Sequence, residues 1–258
     1  MRPLPHRQLF TATLGALVVV AWVALWLWER SPYGRYLNHA ELAHLDAAAG
    51  PVALQGTLYI AGWLLMIIAM MLPTSLPLLD AFRRMTAQRA DHYRLVALVI
   101  ASYLGVWLAF GVVAHLFDFG LHEAFHHVGW LQANPWLFGA APLLVAGAFQ
   151  FSALKHRCLE RCRAPVGFVI QHWRGGNPAR QALALGAHHG LFCVGCCWAL
   201  MLLMFAVGTG SVGWMLALGA VMAAEKNLPW GRRLSAPLGV ALLAWGALIV
   251  IDHGWSWQ

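Results

Sequence analysis

The sequence predicts an all-α membrane protein, a polytopic bundle of about seven transmembrane helices with its N-terminus inside and its C-terminus outside. Three observations lead to this fold class. Of the 258 residues, 60% are hydrophobic and only 10% are charged, whereas soluble domains carry about 25% charged residues. Apolar runs of membrane-spanning length recur along the chain. Basic residues collect in the short segments between these runs.

The apolar runs define the predicted helices. They lie at about 10–28, 53–73, 95–117, 136–154, 182–207, 212–224 and 236–251. In lipid, backbone hydrogen bonds must be satisfied within each segment, so every run is expected to be helical. Glu29 and Arg30 follow the first run in place of a small-residue cleavage site, which favours a retained helix over a signal peptide. The outer segment 29–52 is expected to hold a short interfacial helix.

The distribution of Lys and Arg sets the predicted orientation. With the N-terminus inside, all but Arg30 and Arg35 of the 17 Lys and Arg residues fall in inner segments. The formal charge of +7 then follows from membrane topology, and no soluble domain remains to bind nucleic acid. We expect a single membrane domain over residues 1–258, located as a multi-pass protein in a bacterial inner membrane.

The fifth predicted helix carries the residues best suited to chemistry. At 3.6 residues per turn, one broad stripe of this helix presents imidazole, thiol and thioether groups. The stripe contains His189, Cys193, Cys196, Cys197, Met201 and Met204, with His188 beside it. Such soft groups suit Cu(I). Free Cys and Met also fill membrane cores, but three cysteines within five residues beside a histidine pair favour metal binding.

The second predicted helix adds three thioethers near its inner end. Met66 and Met70 share a helical face, Met71 follows them, and Pro73 ends the helix. Methionines in this arrangement are also typical of ordinary packing. Whether they belong to a metal site therefore depends on whether the second helix contacts the fifth.

A cysteine pair lies in the most basic inner segment, residues 155–181. Cys158 and Cys162 are one turn apart if this segment is helical, and the Lys and Arg around them favour thiolates. We expect the pair to receive a soft metal from a cytoplasmic donor, with incidental thiols on an interfacial helix as the alternative. The odd total of five cysteines also argues for thiol or metal chemistry over a disulfide framework.

An outer segment matches the H-E-x-x-H pattern through His122, Glu123 and His126. In that pattern two histidines on one helical face hold zinc and the glutamate activates water. No third ligand is identifiable by spacing, and the segment lies at a membrane edge. Three interpretations stay open: an outer-face metal site, solvated interfacial residues, or an intramembrane metalloprotease. On the inner side, Glu225 and Lys226 are interpreted as an ion pair or interfacial anchor.

Five segments resemble a bacterial family of predicted metal-binding integral membrane proteins, long classified as a domain of unknown function. These are Met70-Met71-Leu-Pro73, Ser102-Tyr103-Leu-Gly-Val-Trp107, Lys155-x-x-Cys158-Leu-x-x-Cys162-Arg-x-Pro165, Gly190-x-x-Cys193-x-Gly-Cys196-Cys197-Trp198-x-Leu-Met201 and Glu225-Lys226. The similarity covers about residues 55–235, so the first and last predicted helices are additions to the family-like region.

The resemblance implies a protein that handles copper, because some relatives are regarded as Cu(I) chaperones accessory to a bacterial polyphenol oxidase. It implies delivery of Cu(I) to an extracytoplasmic or membrane oxidase, or maturation of such an oxidase, with a client cuproprotein and a cytoplasmic copper donor as partners. It implies no catalytic residues, and an assembly subunit of a membrane complex stays as another alternative. The residues that match the family pattern are Met70, Met71, Cys158, Cys162, Cys193, Cys196, Cys197 and Met201.

Overall fold

The computed structural model describes residues 5–31, 52–134, 136–174, 176–207 and 211–255, and in these ranges every regular element is a helix. The helices are α1 (Pro5–Glu29), α2 (Val52–Met70), α3 (Leu76–Thr86), α4 (His92–His127), α5 (Gly129–Gln132), α6 (Leu137–Phe149), α7 (Ala153–Arg163), α8 (Pro165–His172), α9 (Pro178–Val207), α10 (Val212–Asn227) and α11 (Ser235–Trp255). The short 3₁₀ turns Pro73–Ser75 and Gly231–Leu234 precede α3 and α11. The predicted all-α fold class is confirmed for this part of the chain.

In the part of the chain that the structure describes, four helical segments are long and apolar enough to cross a membrane. They are Phe10–Glu29, His92–Asp118, Pro178–Met204 and Gly231–Asp252. Two bent helix pairs raise the number to six if each pair forms one span: Gly56–Met70 with Pro73–Thr86, bent by 43°, and Leu137–Phe149 with Ala153–Arg163, bent by 64°.

The predicted count of seven spans and the orientation stay predictions. The sixth predicted span lies in α10, whose 16 residues are fewer than the about 20 that a bilayer requires. The interfacial helix expected within 29–52 falls largely outside the described residues.

Proline determines the bend after α2. Pro73 opens a 3₁₀ turn and Pro77 occupies the first turn of α3, positions where a residue without an N–H group is tolerated. The chain therefore changes direction inside the protein and buries the hydroxyls of Thr74 and Ser75. Both donate to the carbonyl of Met71, at 2.7 and 3.4 Å, which satisfies an acceptor that the interrupted helix leaves free.

The basic segment after α6 forms two helices, and the first belongs to the interior. The Ser152 hydroxyl accepts a hydrogen bond from the Lys155 N–H at 3.1 Å and caps α7. α7 then packs directly on α9. A Cβ atom added to Gly195 would lie 2.7 Å from the Cys158 Sγ, so the close approach requires glycine at this position. The predicted helical spacing of Cys158 and Cys162 is confirmed, but α7 is not a peripheral connection.

A buried ion pair holds α7 to α10. The Lys155 Nζ lies 2.8 Å from both carboxylate oxygens of Glu225, and the two side chains are 0% and 2% exposed. Gln150 accepts a hydrogen bond from the same ammonium, and the Ser235 hydroxyl donates to Glu225 at 2.7 Å. The ion pair predicted around Glu225 therefore exists, but its partner is Lys155 and not the adjacent Lys226.

We predict that Glu225→Gln destabilises the protein by about 3–5 kcal/mol, because it leaves the Lys155 ammonium buried without a counterion. Thermal unfolding of the purified protein in detergent measures the change. Glu160→Gln is the matched control, since the Glu160–Arg232 pair is 55% and 59% exposed and should contribute less than about 1 kcal/mol. Equal losses in the two variants would contradict a structural role for the buried pair.

Candidate metal centre

Four thiols from two helices meet inside the protein. The spacing of Cys193, Cys196 and Cys197 places all three on one side of α9, where each is at most 2% exposed. The Sγ atoms of Cys196 and Cys197 are 3.3 Å apart. The Cys162 Sγ on α7 lies 4.0 Å from the Cys196 Sγ, across 34 residues of sequence. We name Cys162, Cys193, Cys196 and Cys197 the thiol cluster.

Cys193 receives polar contacts from two other elements. The Lys226 Nζ on α10 lies 2.9 Å from its Sγ, and the Tyr103 hydroxyl on α4 lies 3.1 Å from it. Because an ammonium group only donates hydrogen bonds, the sulfur of Cys193 must be the acceptor. The Lys226 ammonium therefore places a positive charge directly beside a sulfur atom that could bind a metal ion.

The end of α2 reaches the same point. The Lys226 Nζ lies 3.8 Å from the Met71 Sδ and 3.3 Å from the Thr74 Oγ1. A thioether from the second predicted helix and a thiol from the fifth therefore share one neighbour. The second and fifth predicted helices are therefore linked through Lys226, which places Met71 at the edge of the thiol cluster.

The other predicted methionines are buried in the same core cluster as the cysteines. These are Met66, Met70, Met201 and Met204, together with Met215 and Met222, which sequence analysis did not single out. Met70 packs against Gly219 of α10, where an added Cβ would lie 3.3 Å from its methyl group. Thioethers thus surround the thiol cluster within one continuous apolar interior.

The two adjacent histidines of α9 have different environments. His189 is 4% exposed, stacks on Tyr103 with ring centroids 5.6 Å apart, and lies 3.3 Å from the Ser75 hydroxyl through its Nε2. Its Nδ1 is buried without a hydrogen-bond partner. His188 is exposed, and its ring lies 5.0 Å from that of His172 on α8. The structure brings His189 next to the site and leaves His188 outside it.

The remaining predicted residues are Cys158 and the three residues of the H-E-x-x-H pattern. Two of them contact groups other than the thiol cluster, and two have side chains that the structure does not describe. Cys158 is buried against Gly195. Glu123 pairs with His127 at 2.9 Å, with both side chains largely exposed. The side chains of His122 and His126 are outside the described part, so the H-E-x-x-H interpretation stays a prediction.

The thiol cluster is not arranged as a preformed metal site. Within the described residues, no three or more His, Cys, Asp or Glu side chains form a group that could hold a metal ion. The sulfur atoms stand at hydrogen-bonding distances from one another, and the cation that contacts them is the Lys226 ammonium. The donor set of thiols and thioethers nevertheless fits a soft ion such as Cu(I), once the side chains turn toward it.

Sequence analysis missed the residues that surround Cys193. Lys226 was interpreted as an anchor, and neither Tyr103 nor Thr74 was given a role. The sequence did point to Lys226 and Tyr103, since both residues fall within the segments that carry the family resemblance. Thr74 had no such signal, because its position depends on the bend after α2.

Comparison with known proteins agrees with this chemistry. The model of the PpoB2 family, described as a copper chaperone, matches residues 60–249. This range contains the thiol cluster, Met71, Tyr103 and Lys226. No curated protein and no solved structure matches the chain. The resemblance drawn from the five segments is confirmed, and the chain belongs to the PpoB2 family of copper chaperones.

Proposed function

We propose that this protein is a Cu(I) chaperone of the bacterial inner membrane, which holds the ion in the thiol cluster and passes it to an extracytoplasmic or membrane oxidase. The observation that carries the proposal is the meeting of α7 and α9 thiols with the Met71 thioether around one buried point. Copper is the cargo of this site, and no catalytic residue is assigned.

The ligands follow from the contacts of each sulfur. Cys193, Cys196 and Cys197 form the inner part of the site, because all are buried and share one side of α9. Thiolates with nearby thioethers select Cu(I) over harder ions. Met71 adds a thioether that shares the Lys226 ammonium with Cys193, and His189 adds an imidazole one helical turn before Cys193. Cys158 supports the site by fixing the contact between α7 and α9.

The burial pattern suggests a path for the ion. Cys162 is only half-buried, whereas the three cysteines of α9 are enclosed. A copper donor would meet Cys162 first. The ion would then pass to Cys196, whose Sγ lies 4.0 Å from the Cys162 Sγ. Met201 and Met204 continue along α9 at one and two turns beyond Cys197. They lead toward the opposite end of the bundle, where the client oxidase would receive copper.

No observation in the described residues favours a metalloprotease over this role. Glu123 is occupied by His127, a residue outside the H-E-x-x-H pattern. The membrane location of the chaperone rests on the four helices that are long and apolar enough to span a bilayer. A client cuproprotein and a cytoplasmic copper donor are its expected partners.

We predict that the triple variant Cys193→Ser, Cys196→Ser, Cys197→Ser loses the Cu(I) that wild-type protein retains under reducing, anaerobic conditions. Serine replaces a soft sulfur ligand with a hard oxygen of similar size. Elemental analysis of purified protein gives the copper content, and circular dichroism verifies the helical fold. Copper bound equally by the triple variant and wild type would exclude the thiol cluster as the site.

We predict different effects for the two cysteines of α7. Cys162→Ser should lower Cu(I) affinity about tenfold, equivalent to about 1.4 kcal/mol, because it removes one sulfur of the thiol cluster. Cys158→Ser is the matched control and should change the affinity less than about threefold, since its sulfur packs on Gly195. Competition with a chromogenic Cu(I) chelator measures both values. A larger loss with Cys158→Ser would reverse the assignment.

A further inference from the structure

Lys226 carries a buried positive charge directly at the thiol cluster. The residue is 5% exposed. Its Nζ donates to three atoms: the Cys193 Sγ, the Thr74 Oγ1 and the Met71 Sδ. Two of these three atoms are sulfur atoms that we assign to copper. The ammonium group therefore occupies the space that borders the metal position.

No carboxylate in the described part of the chain lies within ion-pair distance of Lys226. The adjacent Glu225 is taken by Lys155, which contacts both of its oxygens at 2.8 Å. A buried ammonium without a counterion is strongly unfavourable. The Lys226 ammonium instead contacts the Cys193 Sγ at 2.9 Å, so the lysine and the thiol cluster form one electrostatic unit.

We propose that Lys226 is a specificity-determining residue that makes the thiol cluster discriminate against divalent metal ions in favour of Cu(I). This inference rests on the proposed function, because it assumes that the cluster binds a metal ion. The repulsion between a fixed charge and a metal ion is proportional to the charge of the ion. The Lys226 ammonium therefore opposes Zn²⁺ twice as strongly as it opposes Cu⁺ at the same position.

The low polarity of the surroundings makes this difference large. Charge interactions are weakly screened where protein atoms and not water fill the space, and the cluster lies within the main apolar core. Soft thiols by themselves also bind zinc tightly, so sulfur alone does not separate the two ions. A fixed positive charge adds the discrimination that the ligand type lacks.

The variants separate charge from shape. Lys226→Gln removes the charge and keeps an unbranched side chain without adding a sulfur ligand, whereas Lys226→Arg keeps the charge and changes the shape. Tyr103→Phe is the matched control, since it removes the other polar contact to Cys193 without changing the charge of the site. Lys226→Leu replaces Lys226→Gln if the latter does not fold, as judged by circular dichroism and gel filtration in detergent.

The experiment measures Cu(I) and Zn(II) affinities of each full-length protein by competition with a chelator for each ion, under reducing, anaerobic conditions. We expect Lys226→Gln to raise the ratio of Zn(II) to Cu(I) affinity at least about tenfold over wild type. Lys226→Arg and Tyr103→Phe should keep the ratio within about threefold of wild type, even where both affinities fall.

Two results would overturn the inference and leave the proposed function intact. One is an unchanged or lower ratio in Lys226→Gln, and the other is an equal rise in Lys226→Gln and Lys226→Arg, which would assign the effect to shape. Wild-type protein that binds no Cu(I) at all would instead overturn the proposed function, and the inference with it.

Discussion

The close approach of α7 to α9 is the packing constraint on which the candidate site depends. Gly195 leaves room for the Cys158 thiol, and the Lys155–Glu225 pair holds the first turn of α7 against α10. These contacts bring Cys162 within 4.0 Å of Cys196. Without them the cysteines of α7 and α9 would remain two separate groups, one at the surface and one in the core.

Two buried lysines contact different groups, and this difference separates a structural role from a functional one. Lys155 donates to the Glu225 carboxylate and to the Gln150 side-chain oxygen, and the Ser235 hydroxyl also donates to Glu225, so the charged groups of this pair are hydrogen-bonded. Lys226 faces sulfur atoms, which are poor hydrogen-bond acceptors but good ligands for soft metals. The first pair ties helices together. The second places a sulfur atom where, in the proposed function, it exchanges a hydrogen bond for a metal ion.

Copper transfer requires a site that binds its cargo and also releases it. The proposed site has features for both. The thiol cluster combines enclosed thiols on α9 with a half-buried thiol on α7, and the Met71 thioether lies beside it. In the proposed function we expect these sulfur atoms to reorganise around copper by side-chain rotation, while the helices that carry them stay in place. Membership of the PpoB2 copper chaperone family is consistent with this combination of a rigid scaffold and movable ligands.

The sequence by itself determined the helical class, the apolar segments and the residue types of the site. Hydropathy and helical periodicity are local properties, and the stripe of Cys and Met on α9 follows from 3.6 residues per turn. The number of spanning segments was harder to predict, because the bends after Met70 and Phe149 interrupt two apolar runs.

Only the tertiary structure decided which charged and sulfur groups meet. Successive residues on a helix point about 100° apart, so Glu225 and Lys226 face different neighbours despite their adjacency. Glu225 turns to Lys155, and Lys226 turns to Cys193. Such partners depend on how distant helices cross, and no local pattern in the chain encodes the crossing of α7, α9 and α10.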